Sequence, residues 1–421
     1  MKVFANDRSN QLRLLCSIAC LILALLIGGA LAGCSQPSGQ SNSASAESSA
    51  ESSAESGGET GTGQYTKLVE NFHNTDLGNG MQPTGSMQLD YATCFTVDYF
   101  DGGYQLACLY DGGRYLFVPE GASAPEGLAD DIVVLPQPLS DIYLVASDTG
   151  CLFDALGAVD AISVSGVKPE DWYIPSIRSA LDDGSMLYGG KYSAPDYELL
   201  LSSGVKLAVE STMINHTPDV REKLVELGIP VFVEMSSYES EPLGRAEWVK
   251  LYGALLGKDD LAAQVFQEQV EKAEAIDASP TDKTVAFFYI NSNGGAVVRK
   301  PGDYVTTMID QAGGTYAFND LDAAESGTSS ITLEMEQFYA TAKDTDIIIY
   351  NSSIDSSIDT LADLLAKNEL LAEFKAVSSG DVWVTDQNMY QQMIESGGII
   401  ADLNSVFKGA TGELTYLRQL V

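Results

Sequence analysis

Histidine and basic side chains are scarce in this 421-residue sequence. It has two histidines, His73 and His216, and 23 lysines and arginines against 59 aspartates and glutamates. Because zinc and iron sites built by a protein need several imidazole or thiolate ligands, we expect no such metal centre and no intrinsic cofactor. The net charge of −36 also argues against a nucleic-acid partner, since phosphates require a basic surface.

The sequence also lacks the short motifs of several common enzyme classes. It contains no phosphate-binding Gly-x-x-x-x-Gly-Lys-Ser/Thr loop, no Gly-x-Ser-x-Gly nucleophile elbow and no His-Glu-x-x-His helix. We therefore expect no catalysed reaction. Carboxylates are so numerous that some pair will be close by chance, so a glycan hydrolase remains an alternative.

The N-terminus has the composition of a secretory signal. Lys2, Arg8 and Arg13 precede an apolar run from Leu14 to Gly33, and small residues stand before Cys34. The tetrad at 31–34 resembles a bacterial lipobox, in which the cysteine carries the lipid. A transmembrane anchor is the alternative. We predict a signal peptide over residues 1–33 and a lipid on Cys34 as the sole membrane attachment.

Residues 34–64 are almost entirely Ser, Ala, Gly, Gln and Glu, which is typical of a flexible tether. The body that follows is therefore predicted to be extracytoplasmic. Within it, Cys94 and Cys108 lie on facing runs of a predicted hairpin and could form a disulfide; buried free thiols are the alternative.

The body is organised around one long predicted helix. Residues 258–277 contain no Pro or Gly, begin with two aspartates and carry apolar residues at helical spacing. Strands and helices alternate on both sides, which predicts mainly parallel sheets with right-handed crossovers. We predict an α/β protein with an N-terminal lobe over 65–257 led by a β-hairpin region, an interlobe helix over 258–277 and a C-terminal lobe over 278–421. One large domain with an ordinary surface helix is the alternative.

Helical periodicity in the second half predicts several helices. They span residues 304–311, 335–342, 361–377 and 391–407. A single stiff interlobe helix further predicts that ligand binding closes the lobes only modestly.

Three segments resemble a known family. GGKYSAPDYELLLSSGVKLAVEST at 189–212, SSYESEPLGRAEWVKLYGALLG at 236–257 and MEQFYATAKDTDIIIY at 335–350, together with the lipobox and tether, resemble the substrate-binding lipoproteins of ABC importers. The resemblance covers about residues 130–410 and is greatest for binders of ferric siderophores, haem and cobalamin. It implies a monomer that captures an iron complex and delivers it to an ABC permease dimer.

The resemblance also implies two docking residues. In this family one glutamate on each lobe binds arginines of the permease, and the matching positions are Glu198 in PDYELLL and Glu336 in MEQFYA. Glu334 competes for the second role. Carboxylates on separate lobes could each form a charge-assisted bond to an arginine of the permease. The alternative is that both glutamates are ordinary solvated residues of surface helices.

Candidate ligand contacts come from strand-to-helix loops, because ligands of open α/β sheets bind beyond the carboxyl ends of strands. They are Trp172, Tyr173, Lys191, Tyr192, His216, Tyr238, Arg245, Arg299, Lys300, Tyr304 and Tyr390. Aromatic rings suit a large flat or chelated ligand. Scarce basic residues favour a hydroxamate chelate, haem or cobalamin over an anionic catecholate. A structural role for each residue, another nutrient as ligand, and an adhesion module remain alternatives.

Overall fold

The computed structural model describes residues 68–321 and 329–421. The predicted signal peptide, the lipidation site Cys34 and the tether over 34–64 lie outside these residues. Within the part of the chain that is described, no helix is long and apolar enough to cross a bilayer.

A mixed sheet leads the described chain. Its strands are β1 (Pro83–Ser86), β2 (Phe95–Phe100), β3 (Gln105–Leu109), β4 (Arg114–Val118) and β5 (Ile132–Pro136). They pair in sequence order, antiparallel from β1 to β4 and parallel between β4 and β5. The β2–β3 turn contains Gly102 and Gly103 with φ of 86° and 83°, values that favour glycine.

The possible disulfide in this sheet is absent. Cys94 and Cys108 are both free and buried. Cys94 packs into the core shared with the N-terminal lobe, whereas Cys108 packs into a small separate core with Leu106 and Leu116. Alternate side chains of a strand point to opposite faces, so the two thiols are separated by the sheet itself.

The N-terminal lobe is built on a parallel sheet. Its strands are β6 (Ile142–Leu144), β7 (Ile162–Ser165), β8 (Leu187–Tyr188), β9 (Leu207–Glu210) and β10 (Val231–Val233). Their order is β10-β9-β6-β7-β8, with every pair parallel. Helices α1 (Gly150–Ala155), α2 (Pro175–Asp182), α3 (Tyr197–Ser202) and α4 (Pro218–Glu226) connect them.

Two helices join this lobe to the next. Helix α5 (Pro242–Leu256) is almost wholly buried and ends at Gly257, which has φ 66°. Helix α6 (Asp259–Glu274) lies within the predicted interlobe helix. Its residues Phe266 and Val270 belong to the N-terminal core, whereas Ile276, just beyond its end, packs against the C-terminal core. The segment thus spans two hydrophobic cores.

The C-terminal lobe has a mixed sheet. Its strands are β11 (Thr284–Ile290), β12 (Ala296–Arg299), β13 (Thr315–Tyr316), β14 (Ser330–Leu333), β15 (Ile347–Tyr350), β16 (Val382–Thr385) and β17 (Leu417–Gln419). Strands β11, β15 and β16 are parallel at its centre, and β12, β14 and β17 add antiparallel edges. Its helices are α7 (Tyr304–Gln311), α8 (Met335–Ala342), α9 (Leu361–Lys367), α10 (Lys375–Ser379) and α11 (Ser396–Phe407).

Two predicted helices of this lobe are shorter than expected. The run over 361–377 is interrupted at Asn368 and Phe374, whose ψ angles of 130° and 139° are extended. The run over 391–407 becomes helical only at Ser396, after short 3₁₀ turns at 389–391 and 393–395. Met393 and Ile394 in these turns pack into the N-terminal core, so tertiary contacts override local helix propensity.

Candidate functional site

A cavity of about 120 Å³ lies between the two lobes. From the N-terminal lobe, Asp148 follows β6, Ser211 follows β9 and Glu234 follows β10; from the C-terminal lobe come Arg299, the last residue of β12, and Tyr390, which follows β16. Most of these positions lie beyond the carboxyl ends of strands, the usual ligand position in open α/β sheets.

The structure brings six of the predicted contact residues to this cavity. They are Lys191, Tyr192, Arg245, Arg299, Tyr304 and Tyr390. The N-terminal lobe with α5 supplies the first three, and the C-terminal lobe supplies the others.

The other five predicted contacts do not line the cavity. Trp172 is fully buried in the N-terminal core, where its Nε1 donates to Ser165 Oγ at 2.9 Å. Aromatic residues suit a core as well as a ligand, so the sequence alone did not separate these roles. Tyr173 lies at an interlobe contact, and the remaining three are the exposed His216 and Tyr238 and the buried Lys300.

Arg299 is held by neighbouring side chains. It donates to Tyr390 Oη and, at 3.1 Å, to Ser329 Oγ, and its guanidinium lies 3.8 Å from the Asp303 carboxylate. Burial opposes the charge of Arg299, but Tyr390 and Asp303 outweigh it and raise the pKa of the guanidinium. Much of its hydrogen-bonding capacity is therefore used within the protein.

Arg245 is less fully engaged. Its Nε donates to Ser236 O at 3.1 Å, and its guanidinium carbon lies 3.9 Å from the ring centroid of Tyr304 on the other lobe, a cation–π geometry. Among residues 68–321 and 329–421, no carboxylate lies within 4.0 Å of this guanidinium. The terminal nitrogens of Arg245 are therefore better placed than those of Arg299 to bind an anionic group of a ligand.

Three acidic residues that line the cavity were not predicted: Asp303, beside Arg299, and the pair Asp148 and Glu234. Glu234 is 2% exposed, and its carboxylate accepts the Ser236 N–H at 2.8 Å. Burial, reinforced by nearby Asp148, raises the pKa of Glu234 to about 8 against the opposing effects of Ser236 and Arg245. Burial also raises the pKa of Asp148, and Arg245 opposes this. Glu234 directly follows the apolar strand β10, and Asp148 lies four residues beyond the end of β6, so the strand-end positions could have identified both.

The remaining wall is rich in methionine. Met213 comes from the N-terminal lobe, and Met308, Met389 and Met393 come from the C-terminal lobe. Thioether side chains are flexible and polarisable and adapt to irregular or aromatic surfaces. The cavity therefore combines soft apolar walls with a few fixed charges.

The lobes touch beside the cavity. The side-chain amide of Gln391 accepts a hydrogen bond from the Tyr173 backbone N–H at 2.9 Å and donates one to the Asp171 carbonyl at 2.8 Å. One side chain of the C-terminal lobe thus binds a backbone donor and a backbone acceptor of the N-terminal lobe. Gln311 Nε2 also donates to Glu241 Oε2 at 3.0 Å. These bonds hold the two lobes in contact beside the cavity.

The predicted docking glutamates lie on separate lobes. Glu198 is exposed in the first turn of α3, and Glu336 is exposed in the first turn of α8. Glu334, immediately before α8, is also exposed. Exposure alone does not distinguish Glu334 from Glu336.

Among the described residues, no group of three or more His, Cys, Asp or Glu side chains is arranged to hold a metal ion.

The sequence matches a known protein family and a related protein. A family model for the periplasmic binding protein matches residues 208–389. An uncharacterised lipoprotein of Methanocaldococcus jannaschii is 26% identical over 354 residues, covering 76% of this chain and 83% of that protein.

Solved structures share the fold at low identity. The petrobactin-binding protein YclQ from Bacillus subtilis aligns with a TM-score of 0.52 and 14% identity, covering 66% of this chain and 94% of that chain. The periplasmic haem-binding protein HutB of Vibrio cholerae aligns with a TM-score of 0.51 and 18% identity, covering 63% of this chain and 98% of that chain.

Proposed function

Because the chain belongs to the periplasmic binding protein family, we propose that it is the solute-binding component of an ABC importer. It captures an iron complex, either a ferric siderophore or haem, and delivers it to a membrane permease. The observation that carries this proposal is the interlobe cavity, which both lobes build mainly from residues that follow their strands. Capture in the cleft requires no reaction.

The walls of the cavity support a chelate or macrocycle as ligand. Tyr192, Tyr304 and Tyr390 offer aromatic surface, the four cavity methionines can adapt to a rigid ligand, and Arg245 presents a cation. Petrobactin and haem are the ligands named for the two structurally similar proteins.

The size of the cavity bears on how such a ligand enters. Pockets for organic ligands usually measure about 300–1,000 Å³, whereas this cavity measures about 120 Å³. A bound chelate therefore requires a wider cleft than the one described. The bonds of Gln391 must break for that opening.

Delivery requires recognition by the permease. We propose that Glu198 and Glu336 bind arginines on the two permease subunits, one for each lobe. Both carboxylates are exposed, and a charge-assisted bond to arginine is stronger and more specific than a neutral hydrogen bond. The spacing of the two glutamates would then report the state of the cleft to the permease.

We propose that the protein acts as an extracytoplasmic monomer anchored through a lipid on Cys34. The lipobox-like tetrad and the Ser-rich segment support this location. The name of the archaeal relative, a lipoprotein, is consistent with it.

Uptake in cells that lack the chromosomal copy tests the proposal. Cells carrying Glu198→Ala with Glu336→Ala should import a radioiron-labelled chelate at less than about a tenth of the wild-type rate, while the purified variant keeps its affinity. Glu334→Ala is the matched control and should import normally. Normal import by the double variant would contradict the docking proposal, and failure of wild-type cells to import any chelate would contradict the importer proposal.

A further inference from the structure

Consecutive backbone N–H groups attach the sheet of β1–β5, called the leading sheet below, to the N-terminal lobe. Those of residues 90, 91 and 92 donate to the Glu247 carboxylate at 2.7–3.1 Å, and those of Thr93 and Cys94 donate to the Glu239 carboxylate at 2.8–2.9 Å. Both glutamates are buried. The leading sheet lies outside residues 208–389, the part of the chain that matches the family model, so membership of the family assigns it no role.

The Glu239 carboxylate accepts two further hydrogen bonds. The Thr93 hydroxyl donates to its Oε2 at 2.9 Å, and Nε1 of Trp248, on α5, donates to its Oε1 at 3.1 Å. Glu239 therefore links three elements, which are the segment before β2, the turn after β10 on which it stands, and α5. Hydrogen bonds to a carboxylate are short and strong, so they hold the three elements in one arrangement.

The turn that ends at Glu239 also holds the side chain of Arg245. The Ser236 carbonyl in this turn accepts from the Glu239 N–H at 3.0 Å. The same carbonyl accepts from Arg245 Nε at 3.1 Å. At the start of the turn, the Ser236 N–H donates to the Glu234 carboxylate at 2.8 Å. The turn is thus fixed at both ends, and Arg245 bonds to the carbonyl between them.

The two contacts that hold the Arg245 guanidinium differ in their dependence on the cleft. Its position over the Tyr304 ring, 3.9 Å from the centroid, joins the two lobes, so this contact depends on the width of the cleft. The bond to the Ser236 carbonyl lies within the N-terminal lobe and does not. In the wider cleft that a chelate requires, the bond to Ser236 therefore becomes the main constraint on where the terminal nitrogens of Arg245 point.

We propose that the leading sheet positions Arg245 for the ligand, with Glu239 as the positioning residue. Glu239 does not line the cavity, and it acts through the turn that it ends. This inference rests on the proposed function, because it concerns how Arg245 binds an anionic group of the ligand. An arginine that is fixed before the ligand arrives loses less conformational entropy on binding, which raises affinity.

Arginine side-chain NMR of the purified full-length protein tests the positioning without a ligand. The sequence has eight arginines, so labelling with ¹⁵N-arginine gives few Nε signals, and the signal missing from Arg245→Lys is that of Arg245. The bond to the Ser236 carbonyl slows exchange of the Nε proton with water. We expect Glu239→Gln to raise this exchange rate by about tenfold or more, because the single acceptor oxygen of glutamine cannot satisfy all the donors that Glu239 binds.

Two further variants show which bonds produce the effect. Glu247→Gln is the matched control, since it weakens the attachment of the same segment but leaves the Glu239 carboxylate intact, so it should keep the wild-type exchange rate. Thr93→Val removes only the hydroxyl bond to Glu239, at an exposed position, and should raise the rate by a smaller factor than Glu239→Gln. Should Glu239→Gln not fold, Thr93→Val decides, and an unchanged rate in that variant would overturn the inference.

Binding measurements test the consequence for the ligand. Haemin and ferric citrate serve as carboxylate-bearing probes, and a ferric trihydroxamate serves as a probe without carboxylates. Glu239→Gln should weaken binding of a carboxylate-bearing probe about tenfold and change that of the trihydroxamate by less than about twofold, whereas a general loss of structure would weaken both. Removing a negative charge would by itself favour an anion, so the expected loss reports a displaced arginine. In the Arg245→Met background, Glu239→Gln should cause no further loss.

The possible outcomes separate this inference from the proposed function. If Glu239→Gln leaves the Arg245 exchange rate unchanged, or if Glu247→Gln raises it equally, the inference is wrong and the importer proposal stands. The same holds if the exchange rate rises but carboxylate-bearing probes bind as tightly as before, or if the wild type binds only the trihydroxamate. If the wild type binds no chelate, the proposed function fails, and the inferred role towards a ligand fails with it.

Discussion

The Gln391 side chain accepts a hydrogen bond from the backbone of Tyr173 across the interlobe cleft, at 2.9 Å. The same amide donates to the Asp171 carbonyl at 2.8 Å, so both of its polar atoms are used. Gln391 is buried and directly follows Tyr390, a cavity residue. The contact therefore couples the wall of the cavity to closure of the cleft.

Removing this amide should open the cleft. We expect Gln391→Ala to lower the free energy of unfolding by about 1–3 kcal/mol, because two backbone groups lose their partner. Electron spin–spin distance measurements between labels at the exposed positions Val225 and Ala366 should show a longer and broader distribution. Gln387→Ala is the control, since its 3.5 Å contact with the Tyr173 hydroxyl is exposed and weak. An unchanged distribution in Gln391→Ala would contradict the assigned role.

A buried carboxylate attaches the leading sheet to α5. Glu247 is fully buried and accepts from the N–H groups of Asp90, Tyr91 and Ala92 and from Lys250 Nζ. Glu247→Ala should cost about 3–5 kcal/mol of unfolding free energy, because three donors and a charge lose their acceptor. Urea denaturation measures this cost. Glu247→Gln, which keeps one acceptor, should cost less, and equal costs for the two variants would argue against the carboxylate as the anchor.

Close backbone contact between α6 and α11 requires a glycine. A Cβ on Gly397 would lie 2.1 Å from the backbone oxygen of Gln269. Gly397→Ala should therefore force the helices apart and cost at least about 1–3 kcal/mol in thermal or urea unfolding. Gly85→Ala is the control because its nearest neighbour would be the Tyr99 ring at 3.9 Å, and it should change stability by less than about 0.5 kcal/mol. Similar effects at both positions would contradict the packing argument.

The two cavity arginines should differ in what they support. Arg299→Met removes the cation that lies beside the buried Asp303 carboxylate and one of the hydrogen-bond partners of Tyr390, so its main effect should be a loss of stability of about 3–5 kcal/mol. Arg245→Met loses one hydrogen bond to Ser236 O and the contact with the Tyr304 ring, and it should mainly weaken binding of an anionic chelate. Parallel denaturation and binding measurements test this contrast. The account is wrong if Arg245→Met loses more stability than Arg299→Met and binds normally.

Local pattern predicted much of the fold because many elements are long or strongly periodic. Helices α7 and α8 have the bounds that their spacing predicts. Short strands such as β8 and β13 escaped prediction because two residues carry no recognisable alternation and depend on distant pairing.

Part of the cavity lining could be predicted because ligands of open α/β sheets bind beyond the carboxyl ends of strands. That rule was applied to aromatic and basic residues. Tyr304 and Arg245 were found in this way, whereas Glu234 was missed because an acidic residue in an acidic protein suggests a solvated surface. Trp172 was assigned to the ligand although it fills the core, since the sequence does not reveal which side of the sheet a loop covers. The four cavity methionines were not predicted because they come from distant segments of the sequence that only the fold brings together.

A thermal-shift panel on the purified full-length protein tests the central claim most directly. Ferric hydroxamates, ferric catecholates, ferric citrate, haemin, cobalamin and free metal ions are compared at equal concentration. A ligand present at a hundred times its dissociation constant adds about 2.7 kcal/mol to stability. The account predicts a clear rise in melting temperature with at least one iron chelate or haemin and none with free metal ions. A rise with free metal alone, or with no member of the panel, would contradict it.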